Sequence, residues 1–303
     1  MSDSKSFSAT RLHRPLPGPL FSLQRLSLGV VRRAIGLTEE PITPCFDPDT
    51  SYQPVNGVIR VVHADLPTMT IGGVASLFLQ LLHPQVVAGV ADHSRYEQDP
   101  LGRLQATGRF LAVTTYGTVD QAAHAIYRVS QIHTRVNGLT EEGEPYDASR
   151  PDLLEWVHLA EVAMFDAAFH RYGPRFLSAP ERDEYVTQMA QVARDLGVPA
   201  PPESLAALYA SIETFRPTLR LTRAGESTRD FILAGPYNGT QRRGYQTVVM
   251  AALDLLPPWA LVALALPSDF SMPPQAVIRR RAKRLSMVLR LATSAAHPAN
   301  RHT

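Results

Sequence analysis

Apolar residues recur at helical spacing along most of the 303-residue chain, and polar residues fill the positions between them. The joints are rich in proline and glycine, as in GVPAPPE at 197–203. Strand-like alternation is nearly absent, and GVIRVVH at 57–63 is the best candidate for a strand. The pattern therefore predicts an all-α fold with helices over 19–36, 71–91, 100–113, 119–137, 152–172, 181–196, 203–214, 240–256 and 274–292.

Several predicted helices have clear end signals. Thr118 followed by Gln121 is a capping-box pattern, and Asn137 with Gly138 supplies a stop. Asp152 with Glu155 gives the same opening signal for the next helix. The polar segment LTEEGEPYDAS at 139–149 is predicted to be a turn, and Pro84 is predicted to bend or break the helix over 71–91.

The chain shows no internal repeat, and its prolines are spread between the predicted helices. This predicts one large helical domain over 18–296, with a loose N-terminal arm at 1–17 and a frayed end at 297–303. The N-terminal residues lack the apolar segment of a signal peptide, and polar residues interrupt the longest apolar stretch, 71–91. We therefore expect a cytoplasmic protein.

Composition narrows the function classes. Apolar residues make up 45% of the chain, which is typical of a globular protein, and the net charge of +2 with no interleaved basic and aromatic residues argues against nucleic-acid binding. Lys5 and Lys283 are the only lysines, so lysine-based covalent catalysis has few candidates. The single cysteine, Cys45, excludes an internal disulfide and a thiolate metal cluster.

One histidine stands out in the predicted helix over 119–137. His133 lies on the apolar stripe of that helix, which also contains Ala122, Ile126, Val129 and Val136. The spacing permits two interpretations: a core histidine with a hydrogen-bond partner, or an inward-facing metal ligand. It does not decide between them.

Other metal arrangements lack their residues. The chain has no H-E-x-x-H motif, and it has one Glu-x-x-His pair, Glu155 and His158, where a di-iron bundle needs two. A single inward histidine without thiolates is compatible with a proximal ligand to haem b. Nucleotide-binding and α/β-hydrolase motifs are also absent from the sequence.

A set of motifs resembles a known family. Residues 77–110 (LFLQLLHPQVVAGVADHSRYEQDPLGRLQATGRF), 115–138 (TYGTVDQAAHAIYRVSQIHTRVNG) and 143–159 (GEPYDASRPDLLEWVHL) are similar to the fungal MpaB-type oxygenases and bacterial latex-clearing rubber oxygenases. The resemblance covers about residues 60–290. The ordered set Leu-Gln-x-x-His-Pro, Asp-His-Ser, Arg-x-x-x-Thr, His-x-x-Val-x-Gly and Trp-Val-His is more specific than any one of its parts.

The resemblance implies a globin-reminiscent helical fold that holds one haem b, with His133 as the proximal iron ligand. It places Arg103 and Thr107 near the haem, where they would act on dioxygen or on a propionate. The two residues are four apart, so they share a helix face. The alternative for Arg103 is an ion pair with a carboxylate such as Asp99.

Three further residues are weaker candidates. His93 and Arg135 are predicted to bind the cofactor. The pattern nevertheless favours the alternatives in which His93 ends its helix and His83 turns the chain at Pro84. Trp156 and His158 are expected to be packing residues whose polar atoms find partners. The lysine that rubber oxygenases can use as a sixth ligand, and their glutamate base, have no matching position.

The resulting hypothesis is a haem-dependent oxygenase acting with dioxygen on an apolar small molecule, by oxygen insertion or by cleavage of a carbon–carbon double bond. The alternative is a non-catalytic haem or lipid carrier. The segments 20–37 and 279–284 carry arginines that would suit peripheral membrane contact, but helices that pack by their apolar face and solvate the arginines are the favoured explanation.

Overall fold

The computed structural model describes residues 43–94 and 98–294. Within these residues the chain is predominantly helical, with twelve α-helices, one short 3₁₀ turn and one two-stranded sheet, which confirms the predicted all-α class. The helices are α1 (Val58–His63), α2 (Leu66–Gln80), α3 (Pro84–His93), α4 (Pro100–Tyr116), α5 (Val119–His133), α6 (Pro151–Tyr172), α7 (Ala179–Leu196), α8 (Leu205–Phe215), α9 (Arg223–Ala234), α10 (Gly239–Leu253), α11 (Pro258–Ala263) and α12 (Gln275–Ser294). The strands are β1 (Asn137–Leu139) and β2 (Pro145–Asp147).

The core is built on the pair formed by α2 and α6, which has the most extensive contact in the described fold. Gly72 lets the two backbones approach, because a Cβ there would lie 2.8 Å from Phe165 Cδ1 and 2.9 Å from the Met164 carbonyl oxygen. At the other end of the pair the rings of His83 and Trp156 are 6.3 Å apart. The two helices therefore run antiparallel.

The central helix α6 is apolar on nearly all sides, as expected for a helix surrounded by others. α7 and α8 pack against it, and α10 and α12 pack against α2. Arg290 on α12 forms two hydrogen bonds to Asp65, at 2.6 and 2.8 Å, where Asp65 also caps α2. This bidentate ion pair fixes the last long helix against the start of the core pair.

The predicted helix over 71–91 is broken as expected. α2 and α3 are bent by 109° on either side of residues 81–83, and Pro84 opens α3. No described helix is by itself long and apolar enough to cross a membrane; α2 and α3 reach that length and hydropathy only as this bent pair.

The strand candidate at 57–63 was wrong, because Val58–His63 is the helix α1. Side chains from α7 supply acceptors at its first turn: the Ile59 backbone N–H donates to Gln188 Oε1 at 2.8 Å, and that of Val58 donates to Glu184 Oε1 at 3.4 Å. These acceptors lie more than 120 residues away, so the local pattern could not show them. The helices α9 and α11 were also absent from the predicted set.

The helix predicted over 119–137 ends at His133, so Val136 lies beyond it. The capping box of Thr118 and Gln121 is confirmed. β1 follows and pairs with β2 where a polar turn was predicted, and Gly138 is required there because a Cβ would lie 2.6 Å from the Tyr146 hydroxyl.

The cap predicted at Asp152 was wrong, because α6 begins earlier, with Arg150 at the N-cap position and Pro151 as its first residue. Asp152 lies in the first turn and pairs with the Arg150 guanidinium at 2.6 Å. The predicted helix over 19–36, the arm at 1–17 and the end at 297–303 lie outside the described residues, and the domain boundaries stay predictions.

Candidate active site

His133 is the last residue of α5, at the point where the chain turns towards β1. Its side chain is half-buried, and burial lowers the pKa of the imidazole below its usual value, so the ring is neutral at pH 7. The imidazole forms no hydrogen bond with any described residue. A neutral imidazole with a free nitrogen is the form that binds a metal ion.

Arg103 and Thr107 lie one turn apart in the first half of α4. α4 and α5 are joined by two residues, Gly117 and Thr118, and pack against each other. A connection this short makes the two helices antiparallel neighbours, so the start of α4 lies at the same end of the pair as His133. Arg103 is half-buried and Thr107 is exposed.

The Asp99 side chain caps the start of α4. Its carboxylate accepts a hydrogen bond from the Gly102 backbone N–H at 2.9 Å, which makes it the N-cap. The carboxylate therefore has a structural task that does not depend on Arg103.

Large apolar side chains on α4 and α5 are exposed near these residues. Leu104 on α4 is 45% exposed, and Ile132 beside His133 is 56% exposed. A Cβ at Gly108 would meet no atom within 4 Å. On the core helix α2, Leu77 is 39% exposed although both of its neighbours in sequence are buried. Leu104 and Gly108 are four residues apart on one side of α4, and we call the surface that they form the open face.

Glu161 lies on α6 inside the fold. It is enclosed by protein, and burial raises the pKa of its carboxyl to about 7, yet the side chain keeps some accessible area. Sequence reasoning missed Glu161; the signal available was an acidic residue inside the apolar run from Trp156 to Phe165.

A hydrogen-bonded chain lies beside Glu161. His63 Nδ1 is 2.7 Å from Thr115 Oγ1, and His63 Nε2 is 3.2 Å from the Tyr185 hydroxyl. Burial lowers the pKa of His63 to about 3, so the ring stays neutral and each of its nitrogens has a partner. Burial, together with the charges of Asp166 and Glu161, raises the pKa of Tyr185, which keeps the phenol protonated.

His93 and Arg135 differ in their surroundings. His93 ends α3, and its Nε2 donates to the Asn137 carbonyl oxygen at 3.1 Å, so it joins α3 to β1. Arg135 follows α5 with an exposed side chain. Their cofactor roles stay predictions.

The expectation that Trp156 and His158 find partners for their polar atoms was wrong for two atoms. Trp156 Nε1 and His158 Nε2 are buried without a hydrogen-bond partner among the described residues. His83 Nδ1 is a third buried nitrogen without such a partner. His83 occupies the N-cap position of α3 but does not cap it with its side chain. Burial lowers the pKa of His83 and of His158 to about 4.

In the part of the chain that the structure describes, no three His, Cys, Asp or Glu side chains come together as a site for a bare metal ion. At the end of α5 one half-buried histidine, His133, follows an exposed apolar side chain, Ile132. Such a place suits a large apolar cofactor that needs one protein ligand, and it suits an apolar organic molecule.

Comparison with protein families matches residues 60–291 to the family described as ER-bound oxygenase mpaB/B'/Rubber oxygenase, catalytic domain. Comparisons with curated proteins and with solved structures give no match. The matched range holds His63, Arg103, His133 and Glu161, and it agrees with the range that the sequence motifs indicated. The chain belongs to the mpaB/rubber oxygenase family, and residues 60–291 form its oxygenase-type catalytic domain.

Proposed function

We propose that the protein is a haem b-dependent oxygenase that acts on an apolar small molecule, with His133 as the proximal iron ligand. The observation that carries this proposal is the state of His133: half-buried, neutral and without a described hydrogen-bond partner at the edge of the open face. No described residue occupies the ring nitrogens of His133, so one of them is available to bind iron.

The residues around His133 fit a haem. The open face offers apolar area for a flat macrocycle, with Leu104 and Ile132 exposed and space above Gly108. Cations near the same end of the α4–α5 pair, Arg103 and Arg135, would balance the negative charge of propionate groups. Haem b, when bound, supplies the redox centre at which dioxygen is activated.

The chain's own residues then have defined tasks. His133 holds the cofactor through its free ring nitrogen, and the low proton affinity of the ring keeps that nitrogen available at neutral pH. Arg103 provides positive charge, and Thr107 provides a hydroxyl donor on the same helix face. The substrate class is an apolar molecule with an oxidisable carbon–carbon double bond.

The test is an absorption spectrum of the purified protein with and without added hemin, for the wild type and for His133→Ala. We expect a Soret band of ligated haem in the wild type and its loss in the variant, with helical circular dichroism unchanged. His124→Ala is the matched control, because His124 lies on the same helix and is exposed. If hemin gives the spectrum of free hemin with both proteins, the proposal is wrong.

A haem or lipid carrier would pass the first test, so a second measurement separates it from an oxygenase. The hemin-loaded protein is incubated with squalene under air and under nitrogen, and the products are analysed by mass spectrometry. An oxygenase for isoprenoid alkenes gives a product that needs dioxygen and is lost in His133→Ala. Stoichiometric hemin binding without such a product favours the carrier. The cytoplasmic location stays a prediction.

A further inference from the structure

The last long helix, α12, has an exposed side that is basic in its first half and apolar in its second half. The helix packs against α2, α6 and α10. Its buried residues follow helical spacing: Ile278, Ala282 and Ser286. The residues of the opposite side are exposed and follow helical spacing as well: Arg280, Arg284, Met287 and Leu291. Packing by the buried side therefore leaves a second, continuous side of α12 in contact with solvent.

The basic half of this side contains four cations, and we call them the basic cluster: Arg280, Arg281, Lys283 and Arg284. Their side chains are exposed, and none of them forms an ion pair or hydrogen bond with a described residue. Two other arginines of the helix do have carboxylate partners: Arg279 pairs with Asp254 at 3.1 Å, and Arg290 pairs with Asp65 at 2.6 Å. α12 contains no acidic residue, so its exposed side concentrates positive charge although the whole chain carries only +2.

The apolar half begins one turn after the basic cluster. It consists of three large side chains that are each more than half exposed: Met287, Val288 and Leu291. A single exposed apolar residue is ordinary on a protein surface. Three of them on a helix side that continues a basic cluster form the pattern of a helix that lies at the interface between water and lipid.

Charge and chemistry select the partner of this side. The segment 20–37, which lies outside the described residues, carries three arginines and no acidic residue, so it offers no countercharge. A second copy of α12 offers none either. Nucleic acid would neutralise the cations but would gain nothing from the apolar half, and α12 has no aromatic residue on which a base could stack. An anionic lipid surface offers negative headgroups and an apolar layer beneath them.

We propose that the exposed side of α12 docks on an anionic phospholipid surface. The basic cluster lies among the headgroups, and the apolar half inserts at the boundary with the acyl chains. This surface is separate from the candidate site on the hairpin α4–α5, and its contact with lipid does not depend on haem. Docking places the protein at the phase in which an apolar molecule dissolves.

The experiment is vesicle flotation of the purified full-length protein without hemin. One set of vesicles is pure phosphatidylcholine, and the other contains about one-third phosphatidylglycerol. We expect the wild type to float with the anionic vesicles at about 0.1 M salt, and to float much less with phosphatidylcholine or at about 0.5 M salt. The double variant Arg280→Gln/Arg284→Gln should lower the partition coefficient about tenfold. The double variant Met287→Gln/Val288→Gln should lower it about tenfold as well.

Matched controls change the same residue types elsewhere. Arg128→Gln/Arg223→Gln removes two exposed arginines of α5 and α9, and Val262→Gln replaces an exposed apolar residue of α11. Both controls should float as the wild type does. Circular dichroism confirms that each variant is folded.

The inference is overturned if the wild type does not float with anionic vesicles, if it floats equally with both kinds, or if the arginine control weakens binding as much as Arg280→Gln/Arg284→Gln. It is also overturned if Met287→Gln/Val288→Gln leaves flotation unchanged. In that case the cations act alone, and tighter binding of duplex DNA than of vesicles would identify a nucleic-acid surface. Hemin ligation is measured separately, so failure of the proposed function leaves these outcomes readable.

Discussion

The core pair α2–α6 and the hairpin α4–α5 differ in how far their large apolar side chains are buried. In the core pair Phe78 and Trp156 are fully buried, and a glycine is needed for the backbones to approach. In the hairpin, large apolar side chains such as Leu104, Tyr127 and Ile132 are exposed. Burial of apolar side chains is therefore greater in the core pair, while the predicted site residues His133, Arg103 and Thr107 lie on the more exposed hairpin.

The largest expected effect comes from breaking the core pair. Gly72→Ala places a methyl group within 3.0 Å of backbone atoms of Met164 and Phe165, so the two helices must separate. We expect the free energy of unfolding to fall by about 3 kcal/mol, measured by urea denaturation. Gly73→Ala is the control, because its methyl group meets only a ring carbon of Phe165 at 3.8 Å. Equal destabilisation by both variants would contradict this account of the packing.

A smaller effect is expected from the carboxyl of Glu161 on the core helix α6. Burial raises the pKa of Glu161 from 4.5 to about 7, so the folded state binds a proton that the unfolded state has released between those values. The contribution of this group to stability is therefore lost as the pH rises from about 4.5 to about 7. Relative to the wild type, Glu161→Gln should gain about 2 kcal/mol of unfolding free energy between pH 4.5 and pH 8.

The measurement is a pair of unfolding curves at each pH, for the wild type and for Glu161→Gln. Subtracting the unfolding free energies of the two proteins isolates the contribution of this carboxyl. The buried histidines are present in both proteins, and their lowered pKa values make stability rise with pH. If the two stability profiles are parallel over this range, Glu161 does not titrate with a raised pKa.

The sequence predicted the core better than the site, and the reason is physical. Helical spacing and the break at Pro84 are local properties, and both are confirmed. The helix α1 was missed because side chains of α7 supply acceptors at its first turn. Glu161 was missed because its raised pKa comes from helices that meet only in the folded chain. The sequence singled out His133 through a local stripe and a family resemblance, and its role as a ligand stays a prediction. Its lack of a described hydrogen-bond partner is a tertiary property.

If the hairpin α4–α5 binds hemin, adding hemin should bring its hydrogen-exchange rates closer to those of the core pair α2–α6. Hydrogen exchange of the backbone amides in α4 and α5 should slow about tenfold or more when hemin is added, because binding stabilises the ordered hairpin. Amides of α2 and α6 should change less. Mass spectrometry of peptides from the wild type and from His133→Ala measures this. Uniform slowing in all helices, or slowing that persists in the variant, would contradict a site at the hairpin.

The smallest effect offers the sharpest comparison. Gly108 on α4 and Gly244 on α10 both lie inside helices with no atom within 4 Å of an added Cβ. In the absence of hemin, alanine at either position should raise the free energy of unfolding by about 0.5–1 kcal/mol, because alanine is the better helix former.

With hemin, the two variants should differ in their affinity for it. Gly108→Ala places a methyl group on the open face and should weaken hemin binding, measured by Soret titration, whereas Gly244→Ala should bind hemin as the wild type does. Equal hemin affinity in both variants would mean that the space above Gly108 is not where the cofactor lies.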